Sequence, residues 1–197
     1  MMKSVYVFVD NSNLWIGGKK ISGRNKKVPS NYNYRIDYGR LLTLVLEGRT
    51  LGDVPKLYGS EPPPNDSVWK MIESKGFSVN VFKRNIFNKE KGVDMKMGMD
   101  ITTLFLTVTQ PGIIAAVAGD ADFLPVLEAA KSKGWEFEVW YWSNAATVLK
   151  TGATRYVNLN AHLDAIGFER RGLRPVAVTS VRAPQVRGGH AAPIRRK

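Results

Sequence analysis

The chain has 197 residues, 44% of them hydrophobic and 23% charged, which suits one ordinary folded domain with room for an extension. It holds no cysteine, so disulfides, thiolate metal sites and cysteine nucleophiles are excluded. Its formal net charge is +12, and a basic protein attracts polyanions, nucleic acid foremost. The charge is uneven: from Glu169 to Lys197, eight Lys/Arg stand against a single Glu and leave +7.

Val5 to Val9 reads as a first strand that stops at Asp10-Asn11-Ser12-Asn13, short polar residues suited to a turn and to capping the segment Leu14-Trp15-Ile16. An apolar segment that meets an Asp so soon is unlike a signal peptide. No apolar run approaches the roughly 18 residues of a membrane helix. A cytoplasmic protein without a membrane partner is expected. Gly17 to Lys27 is expected as a basic, Gly-containing loop carrying Lys19, Lys20, Lys26 and Lys27, with Tyr32 and Tyr34 after it. Cations for phosphates and rings for bases would make it a single-strand binding surface; the alternative is a solvated loop.

Asp37 to Glu47 predicts a helix, Val54–Gly59 a strand, and Val68–Ser74 a helix after the Pro62-Pro63-Pro64 break. Gly76 stops that helix before a strand over Phe77–Phe82. Lys83, Arg84, Lys89 and Lys91 form a second basic patch. Asp94 opens the next helix, where the dipole favours negative charge. Asp100 lies six residues on, ~120° around that helix at ~100° per residue, so it serves the same site only from behind or has a structural role.

Ile113 to Ala118 is a continuous apolar run, the mark of a strand covered on both faces of a parallel sheet. It stops at Gly119-Asp120-Ala121-Asp122, where a helix to Lys133 begins. Asp122 reads either as that helix's N-cap or, with Asp120, as chemistry at a strand end. Glu136–Trp142 is another strand, Ser143–Lys150 a short helix, Tyr156–Leu159 the last strand, and Ala161–Ile166 a closing helical turn. The alternation predicts an α/β fold, a mostly parallel sheet with helices on both faces. A domain over 1–168 and a disordered basic tail over 169–197 are expected.

Asp10, Asp94, Asp120 and Asp122 thus gather at the carboxyl edge of the sheet from three segments. Carboxylates with no His or Cys nearby suit a hard cation, Mg²⁺ or Mn²⁺, which activates water against a phosphate ester. Phe8-Val9-Asp10-Asn11-Ser12-Asn13-Leu14, Lys91-Gly92-Val93-Asp94 through Asp100, and Ala118-Gly119-Asp120-Ala121-Asp122-Phe123 together resemble the three motifs of NYN domains, a branch of the PIN-like nucleases. The LabA-like bacterial group is the nearest comparison, and the likeness spans about residues 4–160. It implies a Rossmann-like PIN fold and a metal-dependent endoribonuclease, with Asp10, Asp94 and Asp120 on the metal and Asp122 a fourth ligand or water-positioning group. Asn13 would brace the Asp10 turn, Asn11 or Ser12 would touch substrate, and Lys91 and Lys96 would meet phosphates. One departure is Ala153-Thr154-Arg155-Tyr156, where the family often has an Asp before its aromatic.

A binding module for single-stranded or looped RNA, without turnover, is the alternative. A phosphatase of the HAD type is disfavoured, because that class needs a second Asp where Ser12 stands. A dinucleotide enzyme is disfavoured because no Gly-x-Gly-x-x-Gly follows the first strand.

Overall fold

The computed structural model describes residues 3–61, 67–83 and 92–170. The chain opens with β1 (Val5–Asp10), α1 (Asn11–Asn25), β2 (Tyr34–Ile36), α2 (Tyr38–Leu46) and β3 (Lys56–Ser60). It continues through α3 (Ser67–Glu73), β4 (Ser78–Phe82), α4 (Val93–Thr107) and β5 (Ile113–Val117). A 3-10 turn at Ala121–Phe123 leads into α5 (Leu124–Ser132), followed by β6 (Glu136–Tyr141), α6 (Thr147–Gly152) and β7 (Arg155–Asn158). A second 3-10 turn, α7 (Leu163–Ile166) and β8 (Gly167–Glu169) end the described fold.

The main sheet has six strands in the order β4-β3-β1-β5-β6-β7, with parallel pairings throughout. This is the α/β arrangement that alternation predicts. The chain works outward from β1 through β3 and β4, then crosses back to β5 and works outward the other way. Right-handed crossovers therefore put the helices before β3 and β4 on one face and those before β5, β6 and β7 on the other. The reversal of direction falls between β1 and β5, where open α/β sheets form their ligand crevice. All of β5 is buried, and Val5, Val7, Phe8 and Val9 of β1 are at most 3% exposed. Both faces of the central strands are covered, hence their unbroken apolar runs.

The first departure from expectation is α1. Residues 17–25 are helix, not loop. Glycine in a helix costs about 0.5–1 kcal/mol against alanine, so the local signal favours a loop. Packing overrides it. A Cβ on Gly17 would stand 2.2 Å from Cδ1 of Trp142, and one on Gly18 2.6 Å from Cε1 of Tyr34. Bare backbone lets α1 lie directly on those rings, and the Trp142 indole donates to the Leu14 carbonyl at 2.8 Å.

Other departures are smaller. Strands β2 and β8 pair antiparallel, Tyr34 opposite Glu169 and Ile36 opposite Gly167; three residues each carry too little alternation to be read. Asp120, not Asp122, caps the turn before α5, accepting from the Asp122 amide at 3.2 Å. Beneath the sheet's far end, Glu138 is 3% exposed in β6. It accepts two hydrogen bonds from the Arg49 guanidinium, at 2.7 and 2.9 Å, and one from the Trp140 indole at 2.9 Å. Arg155 pairs with Glu47 beside it.

Candidate active site

Two carboxylates flank the reversal point. Asp10 ends β1 and is 1% exposed. It caps α1, accepting from the Asn13 amide at 3.2 Å and from the Asn13 side-chain Nδ2 at 2.7 Å. Asp120 follows β5 and is exposed. Val9 pairs with Val117, so Asp10 lies one residue beyond the last paired position and Asp120 three beyond it, at one edge of the sheet. Strand polarity, set by the parallel register, is what puts both there.

Tyr141, the last residue of β6, completes the site from the other side of β5. Its hydroxyl donates to the Asn13 carbonyl at 2.9 Å, and its ring lies where a Cβ of Gly119 would be, 2.1 Å from Cδ1. Burial raises the Tyr141 pKa, and the negative charges of Asp10 and then Asp120 raise it further. The fields of both carboxylates therefore meet at one hydroxyl, which stays protonated and donating. Asn13, Asp120, Ala121, Tyr141 and Asn144 line an open cleft of about 330 Å³. Sequence reasoning missed Tyr141 and Asn144. The available signal was that the Glu136–Trp142 strand ends at the same edge as Asp120.

Asp94 sits in the first turn of α4. That helix runs back from β4 to begin β5, so its N-terminus is at the same edge as the strand ends. Asp122 is exposed in the 3-10 turn beside Asp120. Ser12 is half-buried in the first turn of α1. Asn11 braces the fold: its Oδ1 accepts from the Tyr38 hydroxyl, and its Cβ faces Gly59.

Asp100 belongs elsewhere. It accepts from the Tyr58 hydroxyl at 2.7 Å and the Lys96 ammonium at 2.6 Å, and lines a separate hollow with Tyr6, Lys56 and Thr103. Burial works against its charge, but the Lys96 and Tyr58 bonds outweigh that and hold its carboxyl below the usual range. Lys96, expected to meet phosphate, is instead committed to this ion pair.

Among the other expected contacts, Lys20 and Lys27 are exposed, Lys26 pairs with Glu169, and Lys19 lies over the Trp15 ring. Tyr32 is 75% exposed, but Tyr34 is 3% exposed and donates to the Leu163 carbonyl at 3.1 Å. That corrects the expectation of Tyr34 as a stacking face: its ring fills the space that Gly18 and Gly167 leave. Arg84 and Lys91 lie outside the described residues, as does the tail beyond Arg170.

The model of the NYN domain family matches residues 4–160, most of the chain, including Asp10, Asp94, Asp100, Asp120 and Asp122. The chain belongs to the NYN domain family. The fold also resembles a crystal structure of a protein of unknown function from Vibrio parahaemolyticus, with TM-score 0.63 and 16% identity over 85% of this chain and 97% of that one. No curated protein matches significantly. NYN domains are PIN-like, so membership supports a nuclease-type function and a nucleic-acid partner. No helix among the described residues is long and apolar enough to cross a membrane.

Metal dependence is common among PIN-like proteins, and the donor chemistry of this NYN domain fits a hard divalent cation, since the edge offers carboxylate oxygens without nitrogen or sulfur. Among the described residues, however, no three such side chains converge as an ion-holding group.

Proposed function

We propose that this NYN domain is a metal-dependent endoribonuclease acting on single-stranded or looped RNA. The observation that carries the reading is the position of Asp10 and Asp120 at the ends of β1 and β5, neighbouring parallel strands at the sheet's reversal point. Keeping like charges together at a sheet edge is unfavourable, and capping alone does not require it. Asp10, Asp94 and Asp120 would hold Mg²⁺ or Mn²⁺, with Asp122 as a fourth ligand or a group orienting water. A bound ion of this kind supplies an activated water and neutralises charge on the phosphate.

The chain's own residues do the rest. Asn13, bonded to both Asp10 oxygens, sets the direction of that carboxylate, and Tyr141 fixes Asn13 through its carbonyl. Asp122 lies in the exposed 3-10 turn two residues after Asp120. The exposed Lys20 and Lys27 attract the RNA backbone. In-line attack would leave a 5′-phosphate and a 3′-hydroxyl.

Among the described residues no three carboxylates converge, which leaves room for a second reading, an RNA-binding module without turnover. Incubation of end-labelled RNA with the full chain in Mn²⁺ or Mg²⁺, beside EDTA and Asp120→Asn controls, separates the two. Metal-dependent cutting that Asp120→Asn abolishes is the expected result. Equal cutting by the variant would overturn the assignment, and salt-sensitive retention of intact RNA would leave the binding module.

A further inference from the structure

On α1, Trp15 and Lys19 stand four residues apart and share one face, as does Asn11 four residues before Trp15. The stripe starts at the Asp10 cap and runs roughly 12 Å along the helix at ~1.5 Å per residue. The Lys19 ammonium lies 3.6 Å from the centre of the Trp15 ring and 5.5 Å from that of Tyr32, and the Arg35 guanidinium carbon is 5.8 Å from Trp15. Two rings and two cations make one cluster. Burial and then the Arg35 charge hold the Lys19 pKa below its ordinary 10.5. Among the described residues neither Lys19 nor Arg35 forms an ion pair with a carboxylate, and a phosphate would supply a counter-anion.

The loop bearing Tyr32 is held at both ends. Asn31, 7% exposed, donates its amide to the Lys19 carbonyl at 2.8 Å and its side-chain Nδ2 to Ser22 Oγ at 2.9 Å and Glu169 Oε1 at 2.7 Å. Arg35 Nη1 donates to the carbonyls of Tyr32 at 2.7 Å and Tyr34 at 2.8 Å. The backbone is fixed, yet the Tyr32 ring is 75% exposed while Tyr34, two residues on, is 3% exposed. A single exposed tyrosine is ordinary. A tyrosine held out by a braced loop beside a tryptophan and two cations is a prepared stacking face, and a base stacked on such a face contributes about 1–3 kcal/mol.

We propose that Trp15, Lys19, Tyr32 and Arg35 form a subsite for an unpaired nucleobase of the RNA strand, with the two cations on its adjoining phosphate, and that this subsite selects single strands over duplex. A duplex hides its base faces in its own stack and offers nothing to Tyr32. The inference rests on RNA being the substrate class and is independent of whether the strand is cut.

The test is fluorescence anisotropy of a labelled oligouridylate and of a labelled RNA duplex with the full chain in EDTA. Tyr32→Ala is expected to weaken single-strand binding by about 5- to 150-fold and duplex binding by less than about twofold. Tyr32→Phe is expected to keep wild-type affinity, and exposure of the ring lets both variants fold, as an unchanged melting temperature would report. Equal loss on single strand and duplex, no loss on single strand, or failure of Tyr32→Phe to preserve binding would overturn the subsite. So would oligoglutamate displacing oligouridylate as well as RNA does, which would make this an acidic-peptide site. Cleavage measured separately keeps the two readings apart: intact stacking without cutting defeats only the nuclease, and cutting without Tyr32 dependence defeats only the subsite.

Discussion

The Tyr141 hydroxyl donates a 2.9 Å hydrogen bond to the main-chain carbonyl of Asn13, fastening the end of β6 to the first turn of α1 across the intervening β5. Asn13 in turn grips Asp10. Tyr141→Phe keeps the ring against Gly119 and removes only that bond. Stability is expected to fall by about 1 kcal/mol, read from urea unfolding. Turnover on RNA should fall with little change in KM, because the variant loosens the carboxylate and not the strand contacts. Full turnover in a less stable variant would reduce the bond to a structural tie.

Gly119 and Gly98 should respond to alanine with opposite sign. At Gly119 the new methyl would meet Tyr141 Cδ1 at 2.1 Å, and the ring has backbone and core around it, so a loss of about 1–3 kcal/mol is expected. At Gly98, within α4, nothing lies within 4 Å of a new Cβ, and a gain of about 0.4–1 kcal/mol follows from the reduced freedom of the unfolded chain. Thermal melts of the two single variants check both.

Arg49→Ala would take from Glu138 its nearest cation. The glutamate is 3% exposed and would keep the Trp140 indole and the more distant Arg155 guanidinium, at 3.6 Å, while α2 would lose the Arg49 bonds to the Val45 and Leu46 carbonyls. Removing one partner of a buried pair costs about 3–5 kcal/mol. Adding Glu138→Gln should restore part of that loss, since it removes a buried charge left with Arg155 at 3.6 Å as its cation. Denaturant unfolding of the single and double variants measures it.

The Asp100 ion pair predicts an acid-dependent stability. Its folded pKa lies below the ordinary 3.8, chiefly through the Lys96 and Tyr58 bonds against the opposing effect of burial. A depressed carboxylate stabilises the fold above its unfolded pKa and loses that contribution as pH falls through the folded value. Asp100→Asn is therefore expected to be less stable near neutrality, by about 1.5–3 kcal/mol for bonds to a charged group, with the gap closing below about pH 3.8. A gap that stays constant down to acid would show that Asp100 acts through packing.

What the sequence determined by itself is local in the chain. The unbroken apolar runs at Val5–Val9 and Ile113–Ala118, each stopped by an Asp, are visible without a fold because burial on both faces of a central strand demands them. Their polarity then puts Asp10 and Asp120 at one edge. Alternation with helices announces the parallel sheet. The tertiary structure alone decided which side chains meet. Gly17 and Gly18 look like loop residues until Trp142 and Tyr34 press on them. Tyr32 and Tyr34 look alike until one is exposed and the other is inserted beneath Leu163. Lys96 looks available until Asp100 takes it, and Tyr141 looks like plain core until its hydroxyl reaches the carbonyl of Asn13, the residue that grips Asp10. Periodicity reports how much of a segment is covered. The partner that covers it stands tens of residues away, and only closure of the fold brings the two together.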